Sequence, residues 1–510
     1  MEKPSYYRPH PLLIQGAALL PSADGPALPA PADILIEGGR IARIAPDLVR
    51  DVTPDTRILP AHGLLAIPGL INAHLHSSGN FMRGTLDGLP LEVFMLYEVP
   101  PLADGAEDPR TVYLRTLIGA VEMLKLGITS VLDDAFFVPL TSTPAIDAIL
   151  SAYRDSGMRA TVALDQPLVV EHEKHPFLAE LLPADIRRQM EMAPRETEAG
   201  MRDHYAHLIS RWHGAADGRL RAAVSCSAPQ RATASYLEHL AALSENHDLA
   251  FFCHILETRV QRVLGDVKYG RSMVRLAADA GILSPRTEVI HAIWIDDQDI
   301  ELLAASGCTV AHNPVCNLRL GSGIMPFRRL RDAGVPIAIG TDEAVSDDSH
   351  DVWGSLKLAG MIHSLASADY RHWPTAREVL QALWSGGARA MRQQHEVGVL
   401  EPGAAADIAL LDLDDNAFLP LHDLPRQLVF ANAGRAVRHT IVAGEIVVRD
   451  GRVTTLDEAS IRAELRAMEP RLRESVAALR RSASRLEPYY RDMYLRSRAV
   501  PLDGFSPLGR

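Results

Sequence analysis

In this sequence histidines and acidic residues recur at the ends of short apolar runs, a pattern that suits metal chemistry. The segment Pro68-Gly69-Leu70-Ile71-Asn72-Ala73-His74-Leu75-His76 sets two histidines two residues apart. On an extended strand both imidazoles leave the same face and reach one ion together. Such a pair alone decides little, because a histidine serves equally as a hydrogen-bonded core or surface residue. Four further segments join it: Phe252-Cys253-His254-Ile255-Leu256-Glu257, Val289-Ile290-His291-Ala292, Ala311-His312-Asn313-Pro314 and Ile339-Gly340-Thr341-Asp342. Three neutral imidazoles and one carboxylate make a donor set suited to Zn2+ or Fe2+, with a position left for water. A divalent ion lowers the pKa of that water from about 15.7 toward 7, so the expected chemistry is hydrolysis.

These residues are far apart in sequence, so the fold must gather them. Between residues 64 and 342 short β-branched runs alternate with helical stretches, which is how parallel β/α units read. Eight runs are expected to be strands: 64–74, 129–133, 159–165, 220–226, 250–254, 288–291, 309–312 and 336–342. Helices are expected over 111–126, 236–246, 272–280, 296–305 and 376–392. Eight such units suggest an α/β fold of the (β/α)8, TIM-like barrel kind, whose active site lies at the carboxyl ends of the strands. His74, His254, His291, His312 and Asp342 all fall at such ends. The two chain ends read differently. Residues 33–44 carry a strand, a Gly38-Gly39 turn and a second strand, and residues 407–412 with 440–451 repeat the device. The expected organisation is a small β-sandwich domain from both ends (1–66 and 404–455), a barrel at 67–403 and a helical tail at 456–510. In that tail Ile461, Leu465, Met468, Leu472, Val476 and Leu479 recur at helical spacing.

Taken in order, these segments resemble the amidohydrolase superfamily, in particular its Atz/Trz-like branch of chlorohydrolases and deaminases acting on adenosine derivatives, guanine and triazines. The resemblance runs from about residue 32 to 451. It implies that His74, His76, His254 and Asp342 bind the metal. It further implies that Glu257 shuttles protons and that His291, with Asp342, orients or deprotonates the water. His312, in a stretch resembling the family's His-Asn-Pro segment, stays open between a structural histidine and a substrate contact. Many relatives bridge two ions with a carboxylated lysine at the end of the fourth strand, but Ala222-Ala223-Val224-Ser225-Cys226-Ser227-Ala228-Pro229 holds no lysine. One ion per subunit is therefore expected, zinc first, with Fe2+ or Mn2+ as alternatives.

The implied reaction is hydrolytic deamination of a small nitrogen heterocycle. The alternatives are displacement of chloride or an alkylamine, cleavage of a urea, carbamate or amide, and, more remotely, an inactive scaffold. The first loop departs from the family pattern: Pro90-Leu91-Glu92-Val93-Phe94-Met95-Leu96-Tyr97-Glu98 lacks the tryptophan usual there, and its two glutamates read as exposed. Residues 166–198 are long enough to form a lid or a subunit contact. With 52 basic against 64 acidic residues the net charge is −12, which argues against nucleic acid as a partner. No apolar run approaches the roughly eighteen residues a bilayer requires, so a cytoplasmic protein with no membrane partner is expected. Four cysteines without a C-x-x-C pair read as buried thiols. A small-molecule substrate and a homo-oligomer, dimer or larger, complete the expectation.

Overall fold

The computed structural model describes residues 10–105, 107–506 and 508. Residues 1–9 of the first expected segment and 507, 509 and 510 of the tail lie outside the described residues. The chain is mixed α/β with two five-stranded parallel sheets. One runs in the order Asp342–Glu343, Leu70–His76, Ile128–Ala135, Arg159–Leu164, Leu220–Ala222, and the other in the order Val224–Ser225, Phe251–Ile255, Thr287–His291, Thr309–His312, Ile337–Ile339. The chain passes between the sheets in mid-strand at two places. At the fourth strand Ala223 N–H donates to Val162 in one sheet (2.8 Å) and Val224 N–H to Ala250 in the other (2.9 Å). At the eighth, Gly340 N–H donates to His312 (3.1 Å), while Asp342 pairs with Leu75.

Side-chain alternation on these strands explains two separate cores. One side presents small residues, among them Ala73, Ala163, Ala223, Ala311 and Ala338 with Phe252 filling the gap. The other presents Val131, Val162, Phe251, Val289 and Val310 to the helices that follow each strand. Each fully buried large aliphatic contributes about 1.5–3 kcal/mol, so this packing fixes the strand ends firmly. The helices start where the sequence supplies an oxygen for the first free N–H groups: Asp108 before Pro109–Lys125, Ser142 before Thr143–Ser156, Thr233 before Ala234–His247 and Asp296 before Asp297–Ser306.

The two chain ends build one nine-stranded sheet, mostly antiparallel, in which Leu64–Pro68 pairs with Ile408–Asp412. The turn at Gly38-Gly39, with φ of 56° and 79°, joins Pro31–Glu37 to Arg40–Ala45 as the dipeptide implies. The expected strand 64–74 is in fact two. Gly69 breaks it, donating to Asp407, while Leu70 donates to Gly127 and starts the parallel sheet. A Cβ at Gly69 would stand 2.2 Å from Thr129 Oγ1, so only glycine fits the crossing.

Residues 166–198 fold into short helices, Leu178–Leu181 and Ala184–Met192. The 42-residue helix Glu458–Ala499 packs over them through Leu486, Tyr490 and Met493 against Leu178, Ile186 and Met190. The stripe Ile461 to Leu479 falls on the first part of this helix and is half-buried, while the helix's fully buried residues lie in the turns after it. All four cysteines are free and buried. Among the described residues no helix is long and apolar enough to cross a membrane.

Candidate metal centre and active site

The strand Leu70–His76 is buried along its length and delivers His74 and His76 to one point. His254, from Phe251–Ile255, brings its Nε2 to 3.3 Å from the Nε2 of each. Asp342 Oδ1 lies 3.6 Å from His74 Nε2 and 3.7 Å from His76 Nε2. Donors held about 2.0–2.1 Å from a common tetrahedral ion stand roughly 3.4 Å from one another, so these four atoms have the spacing of a metal site. Three imidazole nitrogens facing each other at this distance have no good arrangement of protons among themselves, which again fits a shared cation.

The far side of each ring prepares the near side. His76 Nδ1 lies 2.5 Å from the Asp134 carbonyl oxygen and His254 Nδ1 2.8 Å from that of Ser227. A carbonyl only accepts, so both Nδ1 atoms carry the proton and both Nε2 lone pairs point inward. Burial, opposed by Asp342, brings His74 down to about 4, and burial with the neighbouring imidazoles holds His254 well below its ordinary value. His76 is raised: burial works the other way but is outweighed by the Asp342, Asp165 and Glu98 carboxylates. Asp342, despite its own burial, is held well below the usual carboxylate range by His74, His291 and His76.

Local backbone geometry makes this convergence possible. Asp342 and His291 occupy left-handed conformations, φ 65° and 75°, that non-glycine residues adopt at a cost of order 1–3 kcal/mol. Next to Asp342, Gly340 leaves no room for a side chain, since a Cβ there would meet Asn313 Oδ1 at 2.5 Å and the His74 backbone at 2.8 Å. Asn72 and Thr341 tie the two metal-side strands together with reciprocal bonds of 2.8 and 3.0 Å. The chain continues from Thr341 Oγ1 to His350 Nδ1 (3.1 Å) and from His350 Nε2 to Asn80 Oδ1 (2.6 Å).

On the other side of Asp342 stands a second group. His291 Nε2 is 3.5 Å from Asp342 Oδ2 and 3.4 Å from Glu257 Oε2, and its Nδ1 is 2.9 Å from Asn317 Oδ1. Asn313 Nδ2 donates to Asp342 Oδ2 at 3.3 Å. Burial, reinforced by Asp342 and Glu92, pushes Glu257 well above the usual carboxylate range. The cavity over these atoms is lined by His76, His254, Glu257, His291 and Asp342 on one side and by apolar residues such as Leu91, Met95 and Phe136 on another.

All the residues singled out from the sequence except His312 meet here. His312 instead pairs with His363, Nε2 to Nε2 at 3.2 Å, against Phe327, and does not line the cavity. Glu92 and Glu98, read as exposed, are both buried. Glu92 accepts from Thr258 Oγ1 at 2.6 Å, and burial pushes Glu98, which faces Glu343, up to about 7. Both lie on the helix Leu91–Glu98 and are buried there. Asp134, Asn317 and His350 carry no local signal of their role. Their partners are supplied by strands and loops distant in sequence.

Comparison with known proteins places this arrangement in context. The model of the amidohydrolase family matches residues 65–447. The 5-methylthioadenosine/S-adenosylhomocysteine deaminase of Desulforudis audaxviator is 31% identical over 467 residues, covering 91% of this chain and all of that protein. The 5'-deoxyadenosine deaminase of Methanosarcina mazei is 30% identical over 428 residues, 84% of this chain and 90% of that one. Among solved structures, the zinc-bound atrazine chlorohydrolase of Arthrobacter aurescens superposes with a TM-score of 0.79 at 27% identity, covering 90% of this chain and 99% of that one. The zinc-bound adenosine deaminase of Xanthomonas campestris gives a TM-score of 0.78 at 25% identity, with coverage of 91% and 98%. A family model matched over most of the chain, and relatives of this identity matched over nearly all of theirs, show that the chain belongs to the amidohydrolase family.

Proposed function

We propose that this protein is a metal-dependent aminohydrolase that releases ammonia from an amino-substituted nitrogen heterocycle, a purine nucleoside derivative first among them. The observation that carries the reading is the convergence of three imidazole nitrogens and one carboxylate, with a buried glutamate and a further histidine alongside. The names of the deaminases to which it is similar support the substrate class.

In this reading His74, His76, His254 and Asp342 hold one divalent ion, zinc first. When bound, the ion supplies the Lewis acidity that makes water a nucleophile near neutral pH. The chain's own groups supply the proton traffic. His291 Nδ1–H is committed to Asn317, which leaves Nε2 as an acceptor between two carboxyl groups. Glu257, raised by burial, carries the proton that this arrangement requires. It delivers that proton to a ring nitrogen of the substrate and activates the adjacent carbon. Asp342 Oδ2 and His291 Nε2 take one proton of the attacking water and pass it to Glu257, 3.4 Å from His291 Nε2, which delivers it to the departing amine; as the C–N bond breaks and the carbonyl forms, the second proton of that water restores Glu257. The apolar wall formed by Leu91, Met95 and Phe136 excludes bulk water and strengthens each of these interactions.

We further infer that the two parallel sheets close into one (β/α)8 barrel comprising residues 67–403. The fourth and eighth strands, each shared between the sheets, support this. In the same reading the described residues of 1–66 and 404–455 form a β-sandwich domain, and those of 456–510 a tail that braces the lid. Ammonia release from a panel of adenosine derivatives, free nucleobases, pyrimidines and aminotriazines tests the proposal. Ammonia from at least one ring class is expected. Chloride or alkylamine released from substituted triazines, with no ammonia from any member, would replace deamination by the reaction named for the atrazine chlorohydrolase.

A further inference from the structure

His350 is completely buried, yet it neither lines the cavity nor belongs to the proton relay. It stands one residue before Asp351, the cap of the helix Val352–Ile362. Its Nε2 lies 2.6 Å from Asn80 Oδ1, in the turn Ser77–Met82 that follows His76, and its Nδ1 lies 3.1 Å from Thr341 Oγ1, in the residue before Asp342. Asn72, two residues before His74, makes reciprocal bonds of 2.8 and 3.0 Å with the same threonine. One imidazole thus joins the segments that carry His74, His76 and Asp342 to the turn behind them.

The directions of these bonds follow from groups that only accept or only donate. Asn80 Nδ2 donates to the Arg115 carbonyl at 2.9 Å, so Asn80 Oδ1 faces His350 and the ring carries its proton on Nε2. Burial brings the ring down to about 3, with the Arg83 charge adding to the effect, so it is neutral and its Nδ1 accepts. Asn72 Oδ1 accepts from Thr341 N–H, which turns Asn72 Nδ2 toward Thr341 Oγ1. The threonine hydroxyl then donates to His350 Nδ1 at 3.1 Å in preference to the Asp342 carbonyl at 3.4 Å. Every bond from Asn72 to the Arg115 carbonyl runs the same way, so each polarises the next. The far end is pinned as well, because a Cβ at Gly119 in the helix Pro109–Lys125 would stand 2.3 Å from Asn80 Nδ2.

The chain ends on a strained residue. Asp342 sits at φ 65°, a conformation that persists only where the surroundings impose it. Thr341, immediately before it, is clamped by Asn72 on one side and by His350 on the other. Without the ring one side of that clamp is lost, and the Thr341 hydroxyl proton and Asn80 Oδ1 are left buried without this partner.

We propose that His350 is a positioning residue that acts through Thr341 to set the orientation of the Asp342 carboxylate toward the metal and toward His291. The proposal rests on the metal-centre reading, and its main readout needs no turnover. Cobalt(II) is loaded into metal-free wild type, His350→Leu, His350→Gln and Thr341→Val. The visible ligand-field spectrum, the rate of cobalt loss to a chelator and Tm are recorded for each, with kcat and KM wherever ammonia is released. Leucine fills the space without either bond, whereas glutamine supplies one donor and one acceptor as the neutral ring does. In His350→Leu the cobalt spectrum is expected to shift, cobalt loss to quicken and kcat to fall by about tenfold or more, with KM within about threefold of the wild type. Thr341→Val breaks the same bond from its other end and is expected to reproduce these changes, and the double variant to add little to either. His350→Gln is expected to keep the wild-type spectrum, with rates within about threefold.

A lower Tm in His350→Leu with an unchanged cobalt spectrum and rate of loss overturns the proposal, since the ring would then only fill the core. A glutamine variant as impaired as the leucine variant overturns it too, because restoring a donor and an acceptor would then restore nothing. Should His350→Leu fail to fold, Thr341→Val decides by the same criteria. Wild-type protein that takes up no cobalt removes the metal-centre reading and this inference with it. A shifted cobalt spectrum in His350→Leu, regained in His350→Gln, with no ammonia from any substrate upholds the positioning role and removes only the deaminase reading.

Discussion

Glu257 Oε2 lies 3.4 Å from His291 Nε2, the nitrogen that also lies 3.5 Å from Asp342 Oδ2. The glutamate thus meets His291, while none of the imidazole nitrogens of His74, His76 and His254 pairs with it among the described residues. Glu257→Gln keeps the shape and the hydrogen-bonding oxygen while removing the transferable proton. Metal content is expected to stay at the wild-type level and kcat to fall by about 10²–10⁴. Parallel loss of metal would show that Glu257 holds the ion instead.

His254→Ala removes one donor and opens the spacing of the remaining three. Both bound metal and turnover are expected to be lost, in contrast to Glu257→Gln. Elemental analysis of the two purified variants side by side separates the roles, and equal metal content in both would contradict the division.

Gly340→Ala tests the strand end by geometry alone. The added methyl would stand 2.8 Å from the His74 backbone and 2.5 Å from Asn313 Oδ1, so the strand carrying His74 must shift. Reduced metal affinity and a lower Tm are expected together. A variant with wild-type values of both would mean that the close approach is not needed.

The pair His312 and His363 makes a pH-dependent contribution to stability. Burial lowers His363 to about 4, with the Arg328 charge adding to the effect, and burial holds His312 well below its ordinary value. The native state thus keeps these rings neutral. Between about pH 6.5 and 4 the unfolded chain binds the extra protons, so their stabilisation is full above 6.5 and is lost as the pH falls through that window. Denaturant titrations at pH 7 and pH 5 are expected to show a smaller loss in His363→Leu than in the wild type, by about 2 kcal/mol. Equal losses would mean that the ring is protonated in the native state.

Much of this was legible in the sequence because each candidate ligand closes a short apolar run. Period-two alternation fixes which face His74 and His76 share, and strand ends gather residues from distant segments. Other features were not legible. The break at Gly69 depends on Asp407 and Gly127, which the sequence near Gly69 does not reveal. The burial of Glu92 and Glu98 depends on the partners Thr258 and Glu343, which come from other strand ends. The tail is buried at Leu486, Tyr490 and Met493, beyond the stripe read from the sequence, because Leu178, Ile186 and Met190, a surface absent from the helix's own sequence, lie beneath those turns.

The central claim is that His74, His76, His254 and Asp342 together hold one catalytic ion. Its most direct test is elemental analysis of the purified protein combined with ammonia release before chelation, after chelation and after return of zinc. The account predicts about one transition-metal ion per chain, loss of ammonia release when it is removed, and recovery when zinc is restored. Full activity in protein stripped of metal, or an undiminished metal content after all three histidines are replaced by alanine, would contradict it.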